Sequence, residues 1–109
     1  MLTPDEIAAN PIGTDLVYED DAIRIWRIVL QPGEVAGTHT HLLDYTTVVV
    51  EGDMVDRPNG DGTVDQISVA PGQLMRWHQG TQEHSLKNSG KVPFRNVIVE
   101  LKGAPTPSY

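Results

Sequence analysis

The chain has 109 residues, a length that predicts one domain spanning residues 1–109, with its core over about 15–102 and a tail at 103–109. Eight Lys and Arg against 15 Asp and Glu leave a formal charge of −7, which offers no basic footprint to a phosphate backbone and weighs against nucleic acid as a partner. The absence of cysteine removes disulfides, thiolate metal sites and cysteine nucleophiles together. No apolar run is long enough to cross a bilayer, and residues 1–10 lack the basic start and apolar stretch of a signal peptide. The expectation is a soluble, cytoplasmic protein with no membrane partner.

The first element predicted is a short helix. Thr3-Pro4-Asp5-Glu6 supplies a capping hydroxyl, a proline at the first helical position and a glutamate three residues after the cap. Asn10-Pro11 stops it after about two turns. A helix that short persists only by packing on something else.

Everything after Gly13 reads as β. The span Ala22–Gln31 is rich in β-branched and aromatic residues, with Ile23, Ile25 and Val29 on one face and Trp26, Ile28 and Leu30 on the other. Two apolar faces predict a strand sandwiched between layers, and a candidate for sheet-to-sheet contact in a homodimer. Further strands are predicted at Tyr45–Glu51, Met54–Arg57, Thr63–Ala70, Leu74–Trp77, His84–Asn88 and Phe94–Lys102. Turn clusters separate them, among them Gln31-Pro32-Gly33, Ala70-Pro71-Gly72 and Asn88-Ser89-Gly90. Asn59-Gly60 and Asp61-Gly62 tolerate positive φ and predict a hairpin. Short strands with a turn roughly every ten residues indicate an all-β antiparallel sandwich or barrel. The tail Ala104–Tyr109 is proline-rich and is expected to fray.

All four histidines fall between residues 39 and 84. Residues i and i+2 of a strand share a face about 7 Å apart, so His39 and His41 can converge on one ion. His84 opens a later strand and completes a three-imidazole set if that strand pairs alongside. Neutral imidazole suits zinc, copper, iron and nickel, so one of these or manganese is the expected ion, and three protein ligands leave positions open for water or substrate. The plainer reading is that these are solvated or hydrogen-bonded histidines near loops.

The run from Gly33 through His39-Thr40-His41 to Gly52 resembles the first signature of the cupin superfamily: glycine, five residues, H-x-H, three or four residues, glutamate, six residues, glycine. Gly72 to Gly80, followed by His84 and Asn88, is similar to the second signature. The resemblance covers residues 22–101 and implies a cupin double-stranded β-barrel, or jelly roll. It implies His39, His41 and His84 as metal ligands and a small molecule in the barrel. The run H-x-H-x-x-D-Y and the ending Asn96–Lys102 look most like small single-domain cupins associated with β-alanine degradation. Cupins of this size commonly pair, so a homodimer is expected.

Two positions depart from the family pattern. Tyr45 stands where a glutamate ligand is expected, with Asp44 beside it. Counting in twos from His41 through Leu43 puts Tyr45 on the same face if the strand is unbroken, and Asp44 on the other unless a bulge turns it. A neutral phenol is a poor ligand and a good hydrogen-bond donor, so Tyr45 is expected to act on the ligand or on the histidines. His78 replaces the proline of the second signature, as a turn residue or as a further ligand. Without a carboxylate, a divalent ion keeps its whole +2 charge and favours an anionic or chelating oxygen ligand. Three-histidine cupins similar to this include iron dioxygenases acting on diketones and thiols, so the expected function is a metal-dependent dioxygenase or isomerase. The alternative is a non-enzymatic cupin that binds a metabolite or metal for sensing or storage.

Other polar residues carry plainer expectations. Asn88 closes its turn or orients His84. Arg24, Arg76 and Arg95 either reach into the barrel to pair an acidic substrate or, as is commoner for a strand arginine, lie on outer faces; Trp26 is expected in the core, and Trp77 in the core or lining the pocket. Glu19–Asp21, Asp53 and Asp56 read as solvated turns. No G-x-S-x-G elbow or nucleotide-binding glycine loop is present.

Overall fold

The computed structural model describes residues 1–59, 61–77 and 84–103. His78 and the tail beyond residue 103, about which the sequence raised expectations, lie outside the described residues. The chain opens with α1 (Pro4–Ala9), capped as the sequence predicts: Glu6 donates its backbone N–H to the Thr3 hydroxyl, and Thr3 donates its own to the Glu6 carboxylate.

Strands follow as β1 (Asp15–Glu19), β2 (Ile23–Leu30), β3 (Val35–His39), β4 (Asp44–Glu51), β5 (Met54–Pro58), β6 (Val64–Ser68), β7 (Leu74–Trp77), β8 (His84–Asn88) and β9 (Phe94–Leu101). Among the described residues they form two sheets, ordered β1-β2-β9-β4-β7 and β3-β8-β5-β6, with every pairing antiparallel. This is a jelly roll closed by two facing sheets, and its core fills the space between them.

All seven predicted strand spans match to within two residues at each end: Leu74–Trp77 and His84–Asn88 coincide, and Thr63–Ala70, the most altered, is trimmed to Val64–Ser68. The spans of β1 and β3 were covered only by the general β reading. β1 is a largely exposed edge strand with a register shift between Leu16 and Tyr18, and β3 is glycine-bearing and irregular between Ala36 and His39, so neither carries a clean alternation.

β2 buries Trp26, Ile28 and Leu30 inward, at about 1.5–3 kcal/mol for each aliphatic side chain. Its other face is only half-buried, and Arg27 on it is exposed, so the strand is covered fully on one side alone. Gly52 ends β4 at φ +148°, where a Cβ would stand 2.8 Å from the Phe94 ring. A side chain there would push the β4–β5 turn off the end of the barrel.

Polar groups hold the two ends. Glu100 on β9 is 1% exposed and accepts from the Trp26 indole N–H and from Arg24 Nε. Glu19 is buried rather than solvated: it accepts from the Leu2 backbone N–H at 2.8 Å and from Lys102 Nζ at 3.0 Å, with Arg24 alongside. Arg24 therefore lies between two buried carboxylates and not on an outer face, whereas Arg95 is exposed beside Glu51. A buried carboxylate is tolerated where cations and donors surround it.

Asn88, at the end of β8, closes its turn and does more. Its side-chain N–H groups donate to the carbonyls of Leu30 and Val92 at 3.0 and 2.9 Å, while its oxygen accepts the Gly90 N–H at 3.0 Å. One buried amide thus ties β8 to the ends of β2 and β9. Asn88→Ala removes three hydrogen bonds in a buried place and is expected to cost about 3 kcal/mol. The urea midpoint reads this, with an unchanged slope expected; a loss under about 0.5 kcal/mol would show that the amide braces nothing.

Candidate metal centre

His39 closes β3 and His84 opens β8, and the two are direct register partners. Antiparallel pairing therefore sets two imidazoles side by side on the inner face of the sheet. His41 does not continue the strand, as its i+2 spacing had suggested: β3 ends at His39, and residues 40–43 form a connection to β4. The connection returns His41 to the same place all the same. His39 and His41 are each 5% exposed, and their Nε2 atoms stand 3.1 Å apart. The three ring centroids lie 4.7 to 4.9 Å from one another.

What holds the connection is a residue whose sequence role was only to stop a helix. The Asn10 side chain donates to the Thr40 carbonyl at 2.9 Å and accepts the Thr40 N–H at 2.8 Å. The peptide between the two histidines is thereby clamped from a point 30 residues earlier. No local sequence signal reveals that contact.

The ligand atoms of His39, His41 and His84 fall within 4.8 Å of one another, and among the described residues this group includes no carboxylate. Metal–nitrogen bonds of about 2.0–2.1 Å set ligand nitrogens roughly 3 to 3.5 Å apart. The His39–His41 pair already has that spacing, and the wider separation lies within reach of a small ring rotation. His39 Nδ1 faces the Gly37 carbonyl at 3.1 Å. A proton on Nδ1 leaves the Nε2 lone pair aimed at the common point, the tautomer that metal ligation needs. Two Nε2 lone pairs at that distance repel unless a proton or cation lies between them. The donor set and its geometry fit a divalent transition ion.

Burial acts on the charge of the rings. Desolvation lowers the His39 pKa, which the Gly37 carbonyl partly offsets. His41 is pushed down to about 3 by burial, then by the charges of His39, His84 and Arg57. His84, at the rim, falls to about 4 by burial, with His39 and Arg57 adding to it. All three are neutral near pH 7, the form that binds metal.

Tyr45 packs its ring on His41, with centroids 3.7 Å apart and planes 13° from parallel. The parity count assumed an unbroken strand; the strand is broken, and Tyr45 still faces inward because β4 begins at Asp44 with alternating burial. Burial raises the Tyr45 phenol to about 12, with Arg57 opposing the shift. It stays protonated at physiological pH, a hydrogen-bond donor and not an anionic ligand. Asp44 points to the other side of β4 and is not among the converging ligand atoms.

Arg57 is the site residue that sequence reasoning missed. It lies on β5 in register with Asp65 of β6, to which it donates at 2.9 Å, and it lines the same cavity as the histidines. Alternation from the inward Val55 places it there, a signal present in the predicted strand Met54–Arg57. Beneath the histidines the cavity has a volume of about 70 Å³ and is walled by Ile28, Val55, Phe94, Ile98 and other apolar side chains, with Thr47 and Asn96 among them.

Comparison with solved structures gives this architecture its class. The chain is similar to a cupin domain from Bordetella pertussis Tohama I, with 20% identity over 82% of this chain and 91% of that one, and a TM-score of 0.74. It is similar to an RmlC-like cupin with a double-stranded β-helix fold from Methanocaldococcus jannaschii, at 14% identity over 80% and 76% of the two chains, TM-score 0.66. A double-stranded β-helix protein from Klebsiella pneumoniae matches at 25% identity over 83% and 76%, TM-score 0.62. No family model matches the sequence, and no curated protein does. The chain has the fold of a small cupin, and no helix of its described residues is long and apolar enough to cross a membrane.

The depressed imidazole pKa values make a pH prediction for the metal-free protein. Unfolded histidines bind protons near 6.5 whereas the folded ones do so only well below, so stability is complete above pH 6.5 and falls as the pH drops. Each fully buried imidazole contributes up to about 1.4 kcal/mol per pH unit in that window. The urea midpoint is expected to fall between pH 7.5 and 5, above the carboxylate range, and to fall less in His41→Gln. A flat midpoint would contradict the buried neutral rings.

Proposed function

We propose that this small cupin holds one divalent transition ion on His39, His41 and His84 and takes a small anionic or chelating metabolite in the cavity beneath, as a metal-dependent oxidoreductase or isomerase. The observation that carries the reading is the convergence of three neutral imidazoles, with no carboxylate joining them among the described residues, at an apolar cavity. Bound there, the ion would supply Lewis-acid or redox chemistry to an oxygen ligand.

The chain's own residues supply the rest. Three neutral donors leave the ion's charge undiminished, and the Arg57 guanidinium, paired with Asp65 across β5 and β6, lines the same cavity. In a protein of net charge −7, this spot favours a small anion. The apolar walls exclude water and strengthen those attractions. Tyr45, protonated and stacked on His41, supplies a donor to the ligand's oxygen and fixes the ring plane of His41. Fold neighbours include a polyketide cyclase from Streptomyces resistomycificus (18% identity over 80% and 59% of the chains, TM-score 0.58). They also include the DMSP lyase of Ruegeria pomeroyi (14% identity over 81% and 42%, TM-score 0.57), so the scaffold carries enzymes.

Metal analysis of the purified protein is expected to find one ion per chain, lost in the double variant His39→Ala, His84→Ala. Stoichiometric metal in that variant would sink the assignment. Oxygen uptake by the iron-loaded protein on small acids and diketones then separates an oxidoreductase from an isomerase or a binder. Asn10→Ala frees the Thr40 peptide and is expected to weaken metal affinity by roughly 10–100-fold, while the metal-free protein loses about 1–2 kcal/mol for the two hydrogen bonds removed. Unaltered affinity would show that the clamp does not position the ligands.

A further inference from the structure

On β4 and β9, two buried polar atoms of the cavity wall go without a hydrogen-bond partner among the described residues. Thr47 and Asn96 are 5% and 6% exposed, and among the described residues neither Thr47 Oγ1 nor Asn96 Oδ1 has a hydrogen-bond partner. Both line the cavity below the histidines. Buried polar groups are paired as a rule, because an unpaired one loses its hydration and gains nothing in exchange. An asparagine on a central strand, flanked by Ile28 on β2 and Val49 on β4, is a costly choice where valine or leucine would pack.

The register shows that the two belong together. Thr47 lies opposite Ile98, two residues from Asn96 on the same face of β9, so the pair are diagonal neighbours on adjacent strands, about 7 Å apart or less at Cβ. Along β4 they come after Tyr45, whose ring stacks on His41. One strand step of two residues, about 7 Å, separates the histidine layer from the Thr47 layer. A compact molecule can touch both.

Resting on the metal reading above, the geometry points to Thr47 and Asn96 as a specificity pair that recognises a hydroxyl at the far end of a short carboxylate or related oxyanion held at the histidines. Asn96 Oδ1 needs a donor, and the Thr47 hydroxyl can donate or accept. A ligand hydroxyl satisfies both at once, donating to Asn96 and accepting from Thr47. An ammonium fits poorly: the described residues that line the cavity include no carboxylate and already include Arg57. The volume of about 70 Å³, roughly half that of an engineered cavity that admits benzene, limits the buried part to a few heavy atoms.

The test compares 3-hydroxypropionate with propionate by titration calorimetry on the metal-loaded protein. The hydroxy acid is expected to bind at least about tenfold more tightly, the preference falling below about threefold in Thr47→Val with Asn96→Leu while metal content stays at one. A native protein without the preference, or a double variant that keeps it, overturns the pairing even with metal in place. Failure to bind metal at all sinks the metal reading instead, and the same ratio is then read on the metal-free protein, with Arg57 facing the carboxylate. Stability gives an independent reading. With the ligand absent, Thr47→Val removes an unpaired hydroxyl at equal volume, so its urea midpoint is expected to rise. A lowered midpoint would show that Thr47 serves the fold, and would overturn the proposal as well.

Discussion

Three imidazoles from two distant stretches of chain are gathered into one buried volume, and the rest of the site is organised around that crowding. Water would solvate each ring better if it were exposed, and a positive charge on one ring disfavours a second on its neighbours. The fold suppresses the protons by burying the rings, which pushes His41 to about 3 and His84 to about 4. Neutral rings whose lone pairs meet at one point then lack only a cation between them. The cavity, the stacked tyrosine and the nearby guanidinium all take their chemical meaning from this arrangement.

The architecture supplies the convergence by simple means. Antiparallel pairing of β3 with β8 sets His39 against His84. A connection clamped by Asn10 brings back His41. At the far end of β8, Asn88 fixes the strand against the ends of β2 and β9. Glu100, the register partner of Tyr45, and Glu19 are buried carboxylates surrounded by donors, and they close that end of the sheet. Stability and site geometry are thus carried by different polar groups, and substitutions in one set need not disturb the other.

Much of this was legible in the residue order because it is local. The Thr3-Pro4-Glu6 cap, the alternation in β2 and β9 and the turn residues around 59–62 act over a few positions, and periodicity reports them directly. H-x-H followed at a distance by His84 was also readable, although the reason given for it was incomplete, since His41 sits beyond the strand. Arg57 could have been found from alternation with Val55. Asn10, the buried state of Glu19 and the Arg24–Glu100 pair could not: their hydrogen-bond partners lie 17 to 83 residues away, and only the folded topology brings them together. Thr47 and Asn96 look like ordinary strand residues until the cavity beside them is seen.

The central claim is that these three rings share one ion, and X-ray absorption at the metal edge of the purified protein tests it most directly. Three imidazole nitrogens at about 2.0–2.2 Å, completed by oxygen donors from water or a small anion, are expected. A shell with one imidazole or none, or a protein that yields no edge after loading with iron, zinc, nickel, manganese or copper, would contradict it.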